Sequence, residues 1–187
     1  MKKFILVLVF AFAFVGCQKP ADTDTKNETQ VTDTTDEKAT DQAAAENISL
    51  EDALNVFTDK YPEASIEEVS FDVDNKVAKY EIEAFDDSNE YEMEISAKDG
   101  SIIKDKSEKD NTANKKAIDT SLISKVDDFV AETIKDAGPD YYLDSYSIDY
   151  EESGAYTKLE IEVENSNGKD IEYKYNMETG ELIKKDL

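Results

Sequence analysis

The sequence predicts an α+β fold: two tandem small domains, each one helix packed on a three- to four-stranded antiparallel sheet, following a disordered tether. Three observations predict it. The stretch 80–84 (YEIEA), then 91–104 (YEMEISAKDGSIIK), returns as 159–163 (LEIEV), then 171–184 (IEYKYNMETGELIK), at a spacing of 79 to 80 residues. One supersecondary unit is therefore used twice. Each copy opens with apolar residues at helical spacing and continues with apolar residues at every second position, a switch from a 3.6-residue to a two-residue period. Ahead of both lies a polar stretch that cannot bury enough apolar area to offset its ordering entropy.

Residues 1–16 read as a lipoprotein signal peptide. Lys2 and Lys3 precede an uninterrupted apolar run of twelve residues, 4–15, and Gly16-Cys17 closes it. A membrane-spanning helix needs roughly 20 apolar residues, so the run suits a cleaved signal instead. The end, Phe14-Val15-Gly16-Cys17, resembles a bacterial lipobox, with Phe14 standing where Leu, Val or Ile is usual. The resemblance implies cleavage before Cys17, acylation of that residue with palmitate or similar chains, and an anchor on the extracytoplasmic face of the cell membrane. Cys17 is the only cysteine, so no internal disulfide can form and packing alone must hold the folded part together. Residues 17–47 are then the lipidated cysteine and an acidic tether, whose span as a flexible coil is about 30 Å.

The first unit, 48–105, starts at Ser49, a helix N-cap candidate with Glu51 and Asp52 in the first turn. Leu50, Ala53, Leu54, Phe57 and Tyr61 make one apolar face, and Pro62 stops the helix. Three alternating strands follow, carrying Val69-Phe71-Val73, Tyr80-Ile82-Ala84 and Tyr91-Met93-Ile95, with a short fourth at Ile102-Ile103. Turns are marked by Asp74-Asn75, by residues 86–89 and by Asp99-Gly100. A polar connector, 106–119, leads to the second unit, 120–187. There Leu122, Val126, Phe129, Val130 and Ile134 line a helix ending near Gly138-Pro139, and strands carry Tyr146-Ile148-Tyr150, Leu159-Ile161-Val163 and Ile171-Tyr173-Tyr175 before Leu182-Ile183. Units of roughly 65 residues are small enough for docking between them to add stability.

Helix, proline, three alternating strands and an Asp/Thr-Gly turn before two aliphatics and a lysine together resemble the PepSY domain. Ala53, Pro62, residues 80–84 and residues 97–103 carry the resemblance in the first copy; residues 159–163 and 177–183 carry it in the second. It implies one helix on a small antiparallel sheet, a secreted or envelope setting, and a role in restraining peptidases. It brings no catalytic motif.

Composition narrows function further. Loss of residues 1–16 leaves 19 lysines against 45 acids, a net charge of −26. Such a chain has no basic face for nucleic acid. It contains no His, Arg or Trp, so it lacks the base of a Ser-His or Cys-His pair and the imidazole of a zinc site, which argues against most hydrolytic chemistries. No catalytic residue, metal ligand or cofactor is assigned. The solvent faces of the middle strands are acidic: Glu81 and Glu83 beside Glu92 and Glu94, and Glu160, Glu162 and Glu164 beside Glu172 and Lys174. Like charges opposite each other across strands are destabilising by up to about 1 kcal/mol. Either the face is simply solvated and salt-screened, or a cationic protein partner or a divalent ion such as calcium relieves it on binding. Asp72-Val73-Asp74-Asn75 lacks the glycine and distal glutamate of a calcium loop. Tyr141-Tyr142 follow the helix stop and cannot both point inward, leaving one as a contact candidate. The partners expected are the membrane, through lipid on Cys17, and an extracytoplasmic peptidase or other envelope protein. The sequence expectation is therefore a binding module that is not an enzyme; the alternative is a calcium-binding or stress-buffering envelope protein acting through its acidic sheet faces.

Overall fold

The computed structural model describes residues 47–74 and 77–187. The signal peptide, Cys17, the tether and the Asn75 turn position lie outside them.

Helix α1, Leu50–Lys60, begins as its sequence predicts. The Ser49 side chain accepts from the Asp52 N–H, and the Asp52 carboxylate accepts from the Ser49 N–H, closing a capping box. Leu50, Ala53 and Phe57 are its buried face. Strands β1 (Ser65–Asp74), β2 (Val77–Phe85), β3 (Asn89–Ser96) and β4 (Ile102–Lys109) follow as an antiparallel meander. A 3₁₀ turn, Thr120–Lys125, precedes α2, Val126–Ala137. A second meander completes the chain: β5 (Tyr141–Glu151), β6 (Tyr156–Asn165), β7 (Asp170–Asn176) and β8 (Glu181–Asp186).

Two details differ from the sequence reading. Strand β4 runs to Lys109, well past the Ile102-Ile103 pair, and every residue in it is exposed. An edge strand with solvent on both sides needs no alternation, so its charged residues 104–109 read as connector. Leu122 belongs to the 3₁₀ turn, where Asp119 caps the Ser121 N–H and competes with a regular α-helical start.

The two predicted units meet strand to strand. All eight strands form one sheet in the order β4-β3-β2-β1-β5-β6-β7-β8. At the seam β1 and β5 run antiparallel, with Val69 opposite Ile148, Ser70 opposite Ser147 and Phe71 opposite Tyr146. Residues opposite one another share a face. Val69 is also opposite Ile82, which is opposite Met93, while Ile148 is opposite Leu159, which is opposite Tyr175. The buried row thus crosses the seam without changing sides. The residues of this row, Phe57 of α1 and Phe129 of α2 all belong to one hydrophobic core. Both helices therefore pack on the same side of the sheet. Gly100 (φ +70°) and Gly180 (φ +75°) supply the left-handed residue in the β3–β4 and β7–β8 turns, which explains the Asp-Gly and Thr-Gly endings of the two copies.

The register relates the two halves by an approximate two-fold centred on Ser70 and Ser147. Position by position, Glu81 corresponds to Glu160, Asp72 to Asp149, Lys79 to Lys158, and Glu94 to Lys174.

Candidate functional site: the open face of the sheet

With the helices on one side, the other side of the sheet carries the intervening polar residues of every strand. One cross-strand row on the first half reads Lys104, Glu94, Glu81, Ser70. It continues on the second half as Ser147, Glu160, Lys174, Lys184. Small serines line the seam and long charged chains flank it.

All eight glutamates singled out from the sequence lie on this face, and the ladder decides which of them meet. Glu81 is opposite Glu94, Glu83 opposite Glu92, and Glu162 opposite Glu172. Glu160 is opposite Lys174, and Glu164 opposite Asp170. Carboxylate oxygens of Glu81, Glu92 and Glu94 lie within 4.8 Å of one another. Two ammonium groups already compensate that trio. Lys79 Nζ is 3.2 Å from Glu94 and 4.0 Å from Glu81. Lys104 pairs with Glu92 and lies 3.6 Å from Glu94. Burial, and then the hydrogen bond with Glu92, hold Glu81 above the usual carboxylate range. Glu92 is held below it, chiefly by Lys104. The two carboxyls are thus driven apart in opposite directions, as expected where like charges share a site.

The second half is compensated differently. Lys158 lies 3.1 Å from Asp149 and 3.2 Å from Glu160, and Lys174 is 2.6 Å from Glu160. Among the described residues, Glu162, Glu164 and Glu172 have no ion pair, and neither do Asp72, Asp144 and Asp170. Glu162 is pushed up by burial, then by Asp144 and Asp170.

Sequence reasoning missed Lys115. It comes from the connector and bridges Glu67 and Glu90 at one end of the sheet, with its ammonium 2.7 Å from Glu90. The connector is pinned around it: the Asp110 N–H donates to Ser88 O at 3.2 Å, and the Ile118 N–H to Ile66 O at 3.0 Å. Thr112 and Ile118 of the connector are buried, and the sequence hints at this only through Ile118, the one branched aliphatic residue of 106–119. Of the tyrosine pair, Tyr142 is the exposed one (49%), and its hydroxyl donates to Glu164 at 3.4 Å. Among the described residues, no helix is long and apolar enough to cross a membrane.

The first half now has an independent match. Residues 47–106 fit the model of the PepSY family, described as the peptidase propeptide and YPEB domain. Those residues are a PepSY domain. In this protein the PepSY unit supplies α1 and β1 to β4 and so half of the open face. No curated protein matches the chain. Among solved structures, the chain is similar to a candidate lipoprotein from Clostridium difficile 630, determined at 1.85 Å. The TM-score is 0.60 at 23% identity, covering 75% of this chain and 93% of that one. At that identity the likeness speaks to fold alone. Its coverage reaches well beyond the PepSY unit's residues 47–106 and so takes in second-half strands as well.

Proposed function

We propose that this chain is a lipid-anchored, non-catalytic binding module on the extracytoplasmic face of a cell membrane. It binds or restrains a peptidase or another envelope protein, and residues 120–187 are a second, diverged PepSY-like unit. The observation that carries the reading is the sheet face. Eight strands present a continuous polar surface on which neither helix packs, while Ser, Glu and Lys side chains line it without any nucleophile–base pair. A surface of this kind suits recognition better than chemistry. The PepSY match and the description of the C. difficile neighbour as a candidate lipoprotein support an envelope setting.

Two measurements test this. Metabolic labelling with an alkynyl palmitate analogue should tag the wild-type chain and leave Cys17→Ser unlabelled; an unlabelled wild type removes the anchor. Photo-crosslinkers placed at Ser70 and Ser147 in intact cells should capture one envelope protein reproducibly. Capture of nothing specific from either position counts against the binding role.

The Glu81, Glu92 and Glu94 cluster favours a second reading, calcium binding, because oxygen ligands in that number are what calcium takes. The ion would have to displace Lys79 and Lys104. A thermal midpoint raised by millimolar calcium at constant ionic strength would favour this second reading over the first.

A further inference from the structure

The two-fold register makes one half of the sheet a guide to the other. Strand β1 carries an extra residue, Glu67, at the bulge between Ile66 and Glu68. Strand β5 carries its equivalent, Asp144, at the bulge between Leu143 and Ser145. Glu90 at the start of β3 is opposite Phe85; its equivalent, Asp170, is opposite Glu164. In the first half, Glu67 and Glu90 hold the Lys115 ammonium, delivered by an irregular segment that crosses the end of the sheet. Burial lowers the affinity of Lys115 for its proton, yet the two carboxylates overcome this and push the group up to about 12.

The second half keeps the carboxylate pair and adds to it. Glu164 stands where the first half has Phe85, and exposed Tyr142 hydrogen-bonds to Glu164. Among the described residues, no segment delivers a lysine there as the connector does in the first half. Lys169 sits in the adjoining turn and has no ion pair among the described residues. Three carboxylates beside an aromatic ring are the groups that recognise a primary ammonium, through charge-assisted hydrogen bonds and attraction to the ring.

We propose that Tyr142, Asp144, Glu164 and Asp170 form a docking site for a lysine side chain on an extended segment of a partner protein. That segment crosses the end of the second half as the chain's own connector crosses the first. The inference rests on the binding-module reading and names the chemistry of what binds. Asp144 behaves accordingly: burial first, then Glu164, Asp72 and Asp170, hold its carboxyl up, a cost that an ammonium would relieve.

The test uses the full chain, ¹⁵N-labelled in detergent, and a synthetic peptide with the connector's own sequence, residues 109–119. Addition of the peptide should shift the amide signals of Tyr142, Asp144 and Asp170. The same peptide with acetylated lysines should not, and the double variant D144N/D170N should bind about tenfold more weakly. A K115A chain provides the internal standard, because it frees Glu67 and Glu90 for the same peptide. Binding at Glu67 and Glu90 in that chain without binding at Asp144 and Asp170 overturns the inference. So does binding indifferent to acetylation or to D144N/D170N, or self-association of the chain through this site. Each of these leaves the crosslinking result, and with it the broader reading, untouched.

Discussion

Glu81 stands on the diagonal of the β2–β3 ladder from Glu92, within reach of Lys79 and partly out of water. Its environment is repeated with variations across the face. Burial is the first cause of the upward displacement at Glu68, Glu81, Asp144 and Glu162, and neighbouring acids add to it at each. Other carboxylates are displaced the opposite way. Asp86 is pulled to about 2, first by the Tyr91 hydroxyl and then by backbone and side-chain donors of its own turn. Asp99, Asp119 and Asp136 are also lowered, by Ser101, Ser121 and Lys185 respectively. A carboxyl raised in the fold binds its proton better native than unfolded, so its contribution is present at low pH and lost as pH rises through the raised value. A lowered one contributes above its unfolded value and loses that contribution as pH falls through the folded value. The two groups together place maximal stability below neutrality. The thermal midpoint should therefore rise as pH is lowered from about 7 to about 5, then fall as pH approaches about 2. Glu81→Gln should flatten the first limb. A midpoint that declines steadily from neutral pH downward contradicts the assignment.

At the scale of elements, each helix is tied to the edge strand of its own half by an ion pair, and the two pairs have opposite polarity. Lys60 of α1 meets Asp105 of β4, and Asp136 of α2 meets Lys185 of β8 at 2.6 Å. A tyrosine joins each: the Tyr61 hydroxyl donates to Asp105 at 2.8 Å and the Tyr173 hydroxyl to Asp136 at 2.9 Å. With charges exchanged between halves, α1 lying over the second half would set Lys60 against Lys185. The pairing thus helps two units of the same plan keep to their own helices. Lys60→Asp should lower stability by about 0.2–1 kcal/mol, the usual worth of an exposed pair. Adding Asp105→Lys should recover most of it, read from urea midpoints; additive losses would show that the two side chains are uncoupled.

These elements also show what the sequence could and could not disclose. Strands β2, β3, β6 and β7 were readable because each is covered on one face only, which forces strict alternation. Helix α1 was readable from Ser49, Asp52 and Pro62. The seam was not. Pairing of β1 with β5 involves no turn, and a strand that joins a distant partner has the same alternation as one that ends a sheet. The bulges at Glu67 and Asp144 were invisible for a related reason. Each shifts one residue out of register, and only the opposing strand shows which residue it is. Of the acidic face, the glutamates and Lys174 were legible; the roles of Lys104 and above all of Lys115 were not.

At the scale of the whole molecule, joining two repeats at β1 and β5 has two consequences. It removes two strand edges and leaves β4 and β8 as the only sheet edges among the described residues. Both carry lysines, Lys104, Lys106 and Lys109 on one and Lys184 and Lys185 on the other, a common defence against edge-to-edge association. It also fuses two small acidic faces into one surface twice as wide, with a serine seam at its centre. The reading of the sheet face as one binding surface depends on that continuity. Nuclear Overhauser effects across the seam of the full chain test it directly. Contacts between Val69 and Ile148, Ser70 and Ser147, and Phe71 and Tyr146 should all be present in a monomer. Their absence, with each half giving intact contacts of its own, would leave two separate domains and contradict the single open face.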